Sequence, residues 1–487
     1  MDYANSLALV APEITLTASG LVLLLVAAWA GDKAARLIAI LAAAALFAAG
    51  VQLVPTLHDG AFGPDTFAFG DLFRADAFAA FAKALIYLAS IGCLMVAPAF
   101  FNRIGAMKAE YPVLVLFAAT GMSIMVSASD FLTLYVGLEL NSLAAYVLAA
   151  ILRHDSKSSE AGLKYFVLGG LASGILLYGM SLLYGFTGST SFAGVQVALS
   201  GELGTGAMFG LIFVLAGLAF KIAAVPFHMW TPDVYEGAPT PVTTFFATAP
   251  KVAAVALTAR VALEVFGNQS DAWRQIVIFA ALASIVVGAL GAIGQQNLKR
   301  LLAYSSINNV GFILLGLAVA TAAGASAMLV YLFVYVAMSL GSFVALLMLR
   351  GEDGKLYETF DDISGLSTTR PLLAWSLLML MFSLAGIPPL LGFYSKFVVF
   401  QATVEAGLVA LGAIGIAASV IGAFYYIKFV KVMFFDTPAD VVKGESETGH
   451  WVILLICAAI ISPLGYLLTP SLTDLADKAA SALFLAL

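Results

Sequence analysis

Charge is what this chain has least of. Only 11% of its 487 residues are charged, 62% are hydrophobic, and the mean hydropathy is +1.01. A composition this apolar excludes a soluble globular chain and reads as a polytopic membrane protein. Cysteine is almost missing: Cys93 and Cys457 each stand alone in an apolar run, so no disulfide framework, metal cage or iron–sulfur cluster can be drawn from them. The net charge of -6 is spread over loops with no basic face, which leaves nucleic-acid binding without support. A phosphate-cradling loop is also missing. Gly204, Gly206 and Gly210 lack the spacing for one and open a membrane helix, where small residues let helices pack closely.

What is present is a series of about fourteen apolar runs, each near the ~20 residues needed to cross the hydrocarbon core. They leave no stretch for a soluble domain. The first, at 13–30, has no basic leader or clear cleavage site and is expected to be a retained helix. Loops after the odd-numbered runs hold fifteen of the 23 Lys and Arg, and those on the other side hold only Arg74, Arg274 and Lys478. The positive-inside rule then puts the odd loops in the cytoplasm and both termini on the periplasmic side of a bacterial inner membrane.

The remaining five, Lys83, Lys221, Lys251, Arg260 and Lys396, fall inside spans. A charge at bilayer depth costs roughly 2.5–3.5 kcal/mol, so such residues face protein or water and mark ion or proton paths. Lys221 lies about eight residues, or roughly 12 Å of helix, from the polar turn at Trp230–Asp233, further than a lysine stem snorkels. Pro226 follows it and breaks or kinks the seventh run. Lys251 directly follows Pro250, which marks either a deep break or the rim of the eighth run. For His228, near the loop, a structural hydrogen bond and a proton relay are equally compatible.

Two five-helix blocks are visible, helices 4–8 (111–266) and helices 9–13 (273–430), between an N-terminal three-helix segment (1–110) and a C-terminal helix 14 with its tail (431–487). In each block the fourth helix carries proline and lysine: Pro226 with Lys221, then Pro388 and Pro389 with Lys396. An odd number of helices per block inverts the second block, the architecture of transporters with broken helices near the midplane. The expected fold is therefore all-α with two inverted repeats, helices 7 and 12 being discontinuous. The fifth helix adds a lone acid, Glu139, which at that depth would protonate or find a cation. Glu160 and Lys164 form a favourable i, i+4 pair at the start of the sixth helix. Asn308 and Asn309, in the tenth, suit helix-to-helix bonding or water.

With Glu139, Lys221, His228, Lys251 and Lys396 in place, and with PFHMWTPDVYEGAPTPVT and GIPPLLGFYSKF around them, the chain resembles the antiporter-like membrane subunits of complex I, the proton-pumping NADH:quinone oxidoreductase. It is most similar to the N-type branch. The chain ends soon after the fourteenth run without the long lateral helix of L-type members. Lys396 stands where M-type members tend to have glutamate, and Asn309 where L and M types often have histidine. The resemblance implies a proton-translocation chain in which Glu139 and Lys221 pair, Lys251 is central and Lys396 lies on the exit side. His228, Lys164, Asn308 and Asn309 are candidate relays. It implies translocation driven by quinone reduction elsewhere, with no cofactor in this chain: NADH, flavin, iron–sulfur clusters and quinone belong to other subunits. Expected partners are K- and M-type membrane subunits, lipid, protons and water, with no nucleic acid. The alternative is a subunit of a multi-subunit sodium/proton antiporter, which shares most of these residues; a third reading is a passive scaffold between membrane subunits.

Overall fold

A computed structural model describes residues 3–59, 66–201, 203–352, 354–439 and 441–484. Helices α1 (Ala11–Ala30) and α2 (Ala35–Gln52) form a hairpin, with the Gln52 amide donating to Thr15 Oγ1 at 3.0 Å where its open ends meet. A short antiparallel ribbon, β1 (Phe67–Ala68) and β2 (Phe73–Arg74), leads into α3 (Ala77–Arg103). Asp76 caps α3, accepting the Ala79 N–H at 2.8 Å and satisfying one of the donors a helix start leaves free. Next come α4 (Glu110–Val126), α5 (Phe131–Ala149, capped by Asp130), α6 (Ser156–Thr187, capped by Asp155) and α7 (Thr205–Ile222).

The chain then crosses three short pieces, α8 (Trp230–Gly237), α9 (Thr240–Phe246) and α10 (Ala249–Arg260). The second half runs through α11 (Ser270–Ile293), α12 (Leu298–Ala318), α13 (Ala322–Leu347), α14 (Pro371–Ala385), α15 (Leu391–Glu405) and α16 (Val409–Phe435). It closes with α17 (Thr448–Ile461) and α18 (Thr469–Ala482).

Helices apolar all round belong inside a bundle, and α12 and α13 are 94% buried over their apolar windows against 39% for α6 and α16. The exposed side chains of the outer pair, such as Phe166 and Leu171 on α6 and Val420 and Phe424 on α16, make a surface suited to lipid. Close backbone crossings fix the inner register. A Cβ on Gly121 of α4 would lie 2.6 Å from the Gly137 carbonyl of α5, so this crossing, two residues before Glu139, tolerates only glycine.

Ten helices among the described residues are long and apolar enough to cross a membrane, or eleven if the bent pair Asp361–Thr369 and Pro371–Ala385 is one span. The difference from fourteen runs has physical causes. The two arms of the α1–α2 hairpin run on through a 3-10 turn at Gly31–Ala34 as one 42-residue stretch, α4 has 17 residues and α17 has 14, and the run at 372–399 is cut into α14 and α15.

Candidate functional site

Helix α7 ends at Ile222 in a left-handed turn, with Ala223 at φ +60°. The Ala223 N–H donates to Phe220 O at 3.0 Å and the Ala224 N–H to Ala219 O at 2.9 Å, the paired bonds of a Schellman cap. In a continuing helix the N–H four residues on would bond Ile222 O. That residue is Pro226, which has no N–H. Lys251 takes the freed carbonyl, its Nζ donating to Ile222 O at 2.9 Å. Lys251 is only 2% exposed, and all of Thr240–Phe246 is buried, so the lysine sits deep in the protein.

The second break repeats this arrangement. Helix α14 ends at Ala385, Gly386 is at φ +84°, and the bonds run from Gly386 N–H to Ser383 O (2.9 Å) and from Ile387 N–H to Phe382 O (3.0 Å). Pro389, after Pro388, is the residue that would have bonded Ala385 O. Here Lys396 takes the carbonyl at 2.9 Å and also donates to Ser419 Oγ at 3.2 Å, with its ammonium 4.5 Å from the Phe312 ring centroid. A Cβ on Gly386 would lie 2.9 Å from Lys396 Cδ, so glycine here serves both the left-handed turn and the lysine stem. A cavity of about 660 Å³ reaches Lys396 and Ser419, flanked by Phe393, Phe397, Gln401 and Glu405.

Lys221, one residue before the first freed carbonyl, donates to Ser142 Oγ at 2.8 Å, and Ser142 donates to Leu138 O at 2.8 Å. Its Nζ lies 5.9 Å from the Tyr146 ring centroid. Glu139, three residues before Ser142, makes no ion pair among the described residues, and its Oε1 is buried without a hydrogen-bond partner. The acid and the lysine therefore share a neighbourhood with a hydroxyl beside the lysine, and are not a contact pair. Ser142 and Tyr146 escape sequence reading because a serine or tyrosine in an apolar run carries no distinctive signal. A cavity of about 1130 Å³ runs from the exposed Arg153 and His154 to Tyr146.

Among the candidate relays, Lys164 pairs with Glu160 at 2.7 Å and Asp233 at 2.8 Å; Arg300 adds contacts to Asp233 (2.6 Å) and Glu236 (3.1 Å). Burial raises the Asp233 carboxyl, but bonds and charge from Lys164 and Arg300 outweigh it and hold it below the ordinary value. The His228 Nδ1 is buried without a partner. Asn308 donates to Ile285 O at 2.7 Å, tying α12 to α11. Asn309 donates to Ser305 O at 2.7 Å and accepts from Tyr331 OH at 2.7 Å; Ser305 and Tyr426 hydroxyls are 2.5 Å apart. Phe312, the ring over Lys396, is one helical turn on. Neither Lys164 nor His228 is bonded to Lys221, Lys251 or Lys396.

Arg260 donates to both Asp76 oxygens (2.8 and 3.0 Å), to Glu264 (2.7 Å) and to Val126 O (3.0 Å), while Arg74 reaches Glu264 at 2.8 Å. This buried, multiply bonded cluster ties the start of α3 to the end of α10. No group of three or more His, Cys, Asp or Glu positioned for a metal ion occurs among the described residues.

Residues 128–422 match the family described as NADH:quinone oxidoreductase/Mrp antiporter, TM. The NADH-quinone oxidoreductase subunit N of Erythrobacter litoralis is 73% identical over 486 residues, covering 100% of both chains. That of Rhizorhabdus wittichii is 58% identical over 99% of this chain and 100% of its own. In the structure of respiratory complex I from Thermus thermophilus, one chain superposes with a TM-score of 0.79 at 31% identity, covering 95% of this chain and 99% of its own. A chain of the Mrp complex from Dietzia sp. superposes with a TM-score of 0.82 over 99% of this chain and 98% of its own, at 24% identity, a likeness of fold alone.

Proposed function

The chain belongs to the NADH:quinone oxidoreductase/Mrp antiporter membrane-subunit family, and from that premise we propose that it is the N-type proton-translocating subunit of a NADH:quinone oxidoreductase. The observation that carries this reading is the pair of helix breaks, each with a proline-freed carbonyl held by a buried lysine, Lys251 on Ile222 and Lys396 on Ala385. A lysine in such a position has two states. Charged, it satisfies the carbonyl; neutral, it relinquishes a strong charge-assisted bond. Proton movement is thereby coupled to the local geometry of a break in a membrane-buried helix.

In this reading Glu139 biases Lys221 across the Ser142 hydroxyl, Lys251 is the central station, and Lys396 with Ser419 serves the exit side. Tyr146 and the cavity leading to it form the uptake side. The Asn309–Tyr331–Tyr426–Ser305 network carries protons toward Phe312 and Lys396, with Asn308 as packing support. Lys164 and His228 act at the cytoplasmic end. The blocks 111–266 and 273–430 are inverted repeats within fourteen crossings, flanked by 1–110 and 431–487, and the matched caps at Ala223 and Gly386 support this pairing. We place the subunit in a bacterial inner membrane between K- and M-type neighbours, with both termini periplasmic. Redox cofactors and quinone belong to other subunits.

The test is NADH-driven proton uptake into inverted membrane vesicles with equal amounts of assembled complex. Loss of uptake in Lys251→Ala supports the reading. Parent-like uptake, or uptake that follows a sodium gradient without NADH, contradicts it.

A further inference from the structure

The N-terminal three-helix segment holds ionisable side chains that the proposed proton route leaves unused. Lys83 on α3 is 2% exposed, and its Nζ lies 2.6 Å from Oε1 of Glu13, 6% exposed, on α1. The Ser123 hydroxyl of α4 donates to the same carboxylate oxygen, and Tyr87 OH lies 2.6 Å from Ser123 Oγ. Lys83 also sits 4.7 Å from the Phe73 ring centroid. The residue types are those found around Lys221, a lysine, an acid, a serine hydroxyl and a tyrosine drawn from neighbouring helices, but here the lysine and the acid are both buried.

Two features separate this group from a purely structural ion pair. First, the other carboxylate oxygen, Glu13 Oε2, is buried with no hydrogen-bond partner. The Arg260 cluster binds both oxygens of Asp76, whereas Glu13 keeps one oxygen free to accept a proton or a water. Second, the group lies on a polar stripe. Lys83, Tyr87, Ser90 and Cys93 recur at steps of four, three and three along α3, one face of a helix. The stripe ends at Cys93, whose Sγ is 3.9 Å from Thr248 Oγ1. Thr248 is the N-cap of the helix that carries Lys251, and its carbonyl accepts the Lys251 N–H at 3.1 Å.

We infer that Glu13 and Lys83 form a second proton-exchanging pair, outside the two five-helix blocks, which gives the region around Lys251 a branch along α3. In the exchange the N–H bond of the Lys83 ammonium breaks and an O–H bond forms at Glu13, so both charges vanish together. The Ser123–Tyr87 hydroxyls, which bond the carboxylate and not the lysine, carry the acid's proton away and restore the carboxylate, and a proton from water restores the ammonium. One proton enters and one leaves per cycle. An ionised pair thus becomes a neutral one without a lone charge in the apolar interior.

This inference rests on the proposed proton-translocating function, and the test separates the two. The assembled complex is studied in inverted vesicles with Glu13→Gln, with Glu13→Gln combined with Lys83→Gln, and with Lys221→Ala for comparison. Protons moved per NADH and assembled amount are measured together, with the infrared carboxyl bands that change on NADH addition and shift in D₂O. The expected result is that the neutral double variant assembles, moves fewer protons per NADH, and that Glu13→Gln loses one carboxyl band. If the double variant moves protons at the parent ratio while Lys221→Ala does not, only this inference falls. If Lys221→Ala also matches the parent, the proposed function falls with it. A double variant that fails to assemble, or a parent with no band assignable to Glu13, assigns the pair to packing and overturns the inference.

Discussion

Lys251 Nζ and the Ile222 carbonyl lie 2.9 Å apart, joining the start of one helix to the end of another. The contact exists because Pro226 withholds the N–H that would otherwise have occupied that oxygen. Removing the ammonium leaves a buried carbonyl unsatisfied where lipid and packed side chains offer no donor. Lys251→Ala is expected to lower NADH-driven proton uptake by roughly 100-fold or more, as for loss of a positioned proton-transfer group. The measurement is vesicle acidification normalised to assembled complex.

Lys396 has a second acceptor in Ser419 and a glycine against its stem. Ser419→Ala removes one of two polar contacts and is expected to slow uptake by less than Lys396→Ala. Gly386→Ala forces both a left-handed alanine, about 1–2 kcal/mol, and a displaced lysine, so it should resemble Lys396→Ala more than Ser419→Ala. Uptake rates of the three variants, ranked side by side, check this order.

Arg260 neutralises Asp76 and Glu264 in a site from which it is itself fully buried. Arg260→Ala leaves two buried carboxylates to share the single charge of Arg74, a cost of roughly 3–5 kcal/mol. The expected outcome is less assembled complex and a lower thermal midpoint, with the assembled remainder pumping at the parent ratio. Quantitative immunoblotting beside the pumping assay reads both.

Asp233 offers a pH test outside the membrane. Its folded value is held below the ordinary carboxylate value, mainly by Lys164 and Arg300 acting against burial. A depressed folded value means the stabilisation is present above the unfolded pKa of about 3.9 and is lost as pH falls through the folded value. The site is partly exposed, so the effect is on the order of 1 kcal/mol or less. Asp233→Asn should lower the thermal midpoint slightly at neutral pH and leave it unchanged once the pH is below the carboxyl's depressed folded value, as read by melting curves across pH.

The residues that sequence reading finds here are those whose presence in an apolar run is itself anomalous. Lys221, Lys251, Lys396 and Glu139 stand out as charges at depth, and Pro226 and Pro388–Pro389 as missing donors. Their partners do not stand out. Ile222 and Ala385 act through backbone oxygens that every residue possesses, and Ser142 and Ser419 are ordinary in membrane helices. The contact between Glu13 and Lys83, or between Asp76 and Arg260, joins residues far apart in the chain that only folding brings together. The helix breaks themselves begin earlier than the prolines, at Ala223 and Gly386, because the orphaned carbonyl lies a full turn before each proline.

In the proposed route Glu139 governs Lys221 although Ser142, and not the acid, is the lysine's contact. Protons moved per NADH oxidised, measured in inverted vesicles at matched assembly for Glu139→Gln, Glu139→Asp, Lys221→Ala and the double Glu139→Gln, Lys221→Ala variant, address it directly. Glu139→Gln and Lys221→Ala are each expected to lower the ratio, the double variant to be no worse than the more impaired single, and Glu139→Asp to retain part of the activity. A Glu139→Gln complex that pumps at the parent ratio while Lys221→Ala does not would contradict this role of Glu139.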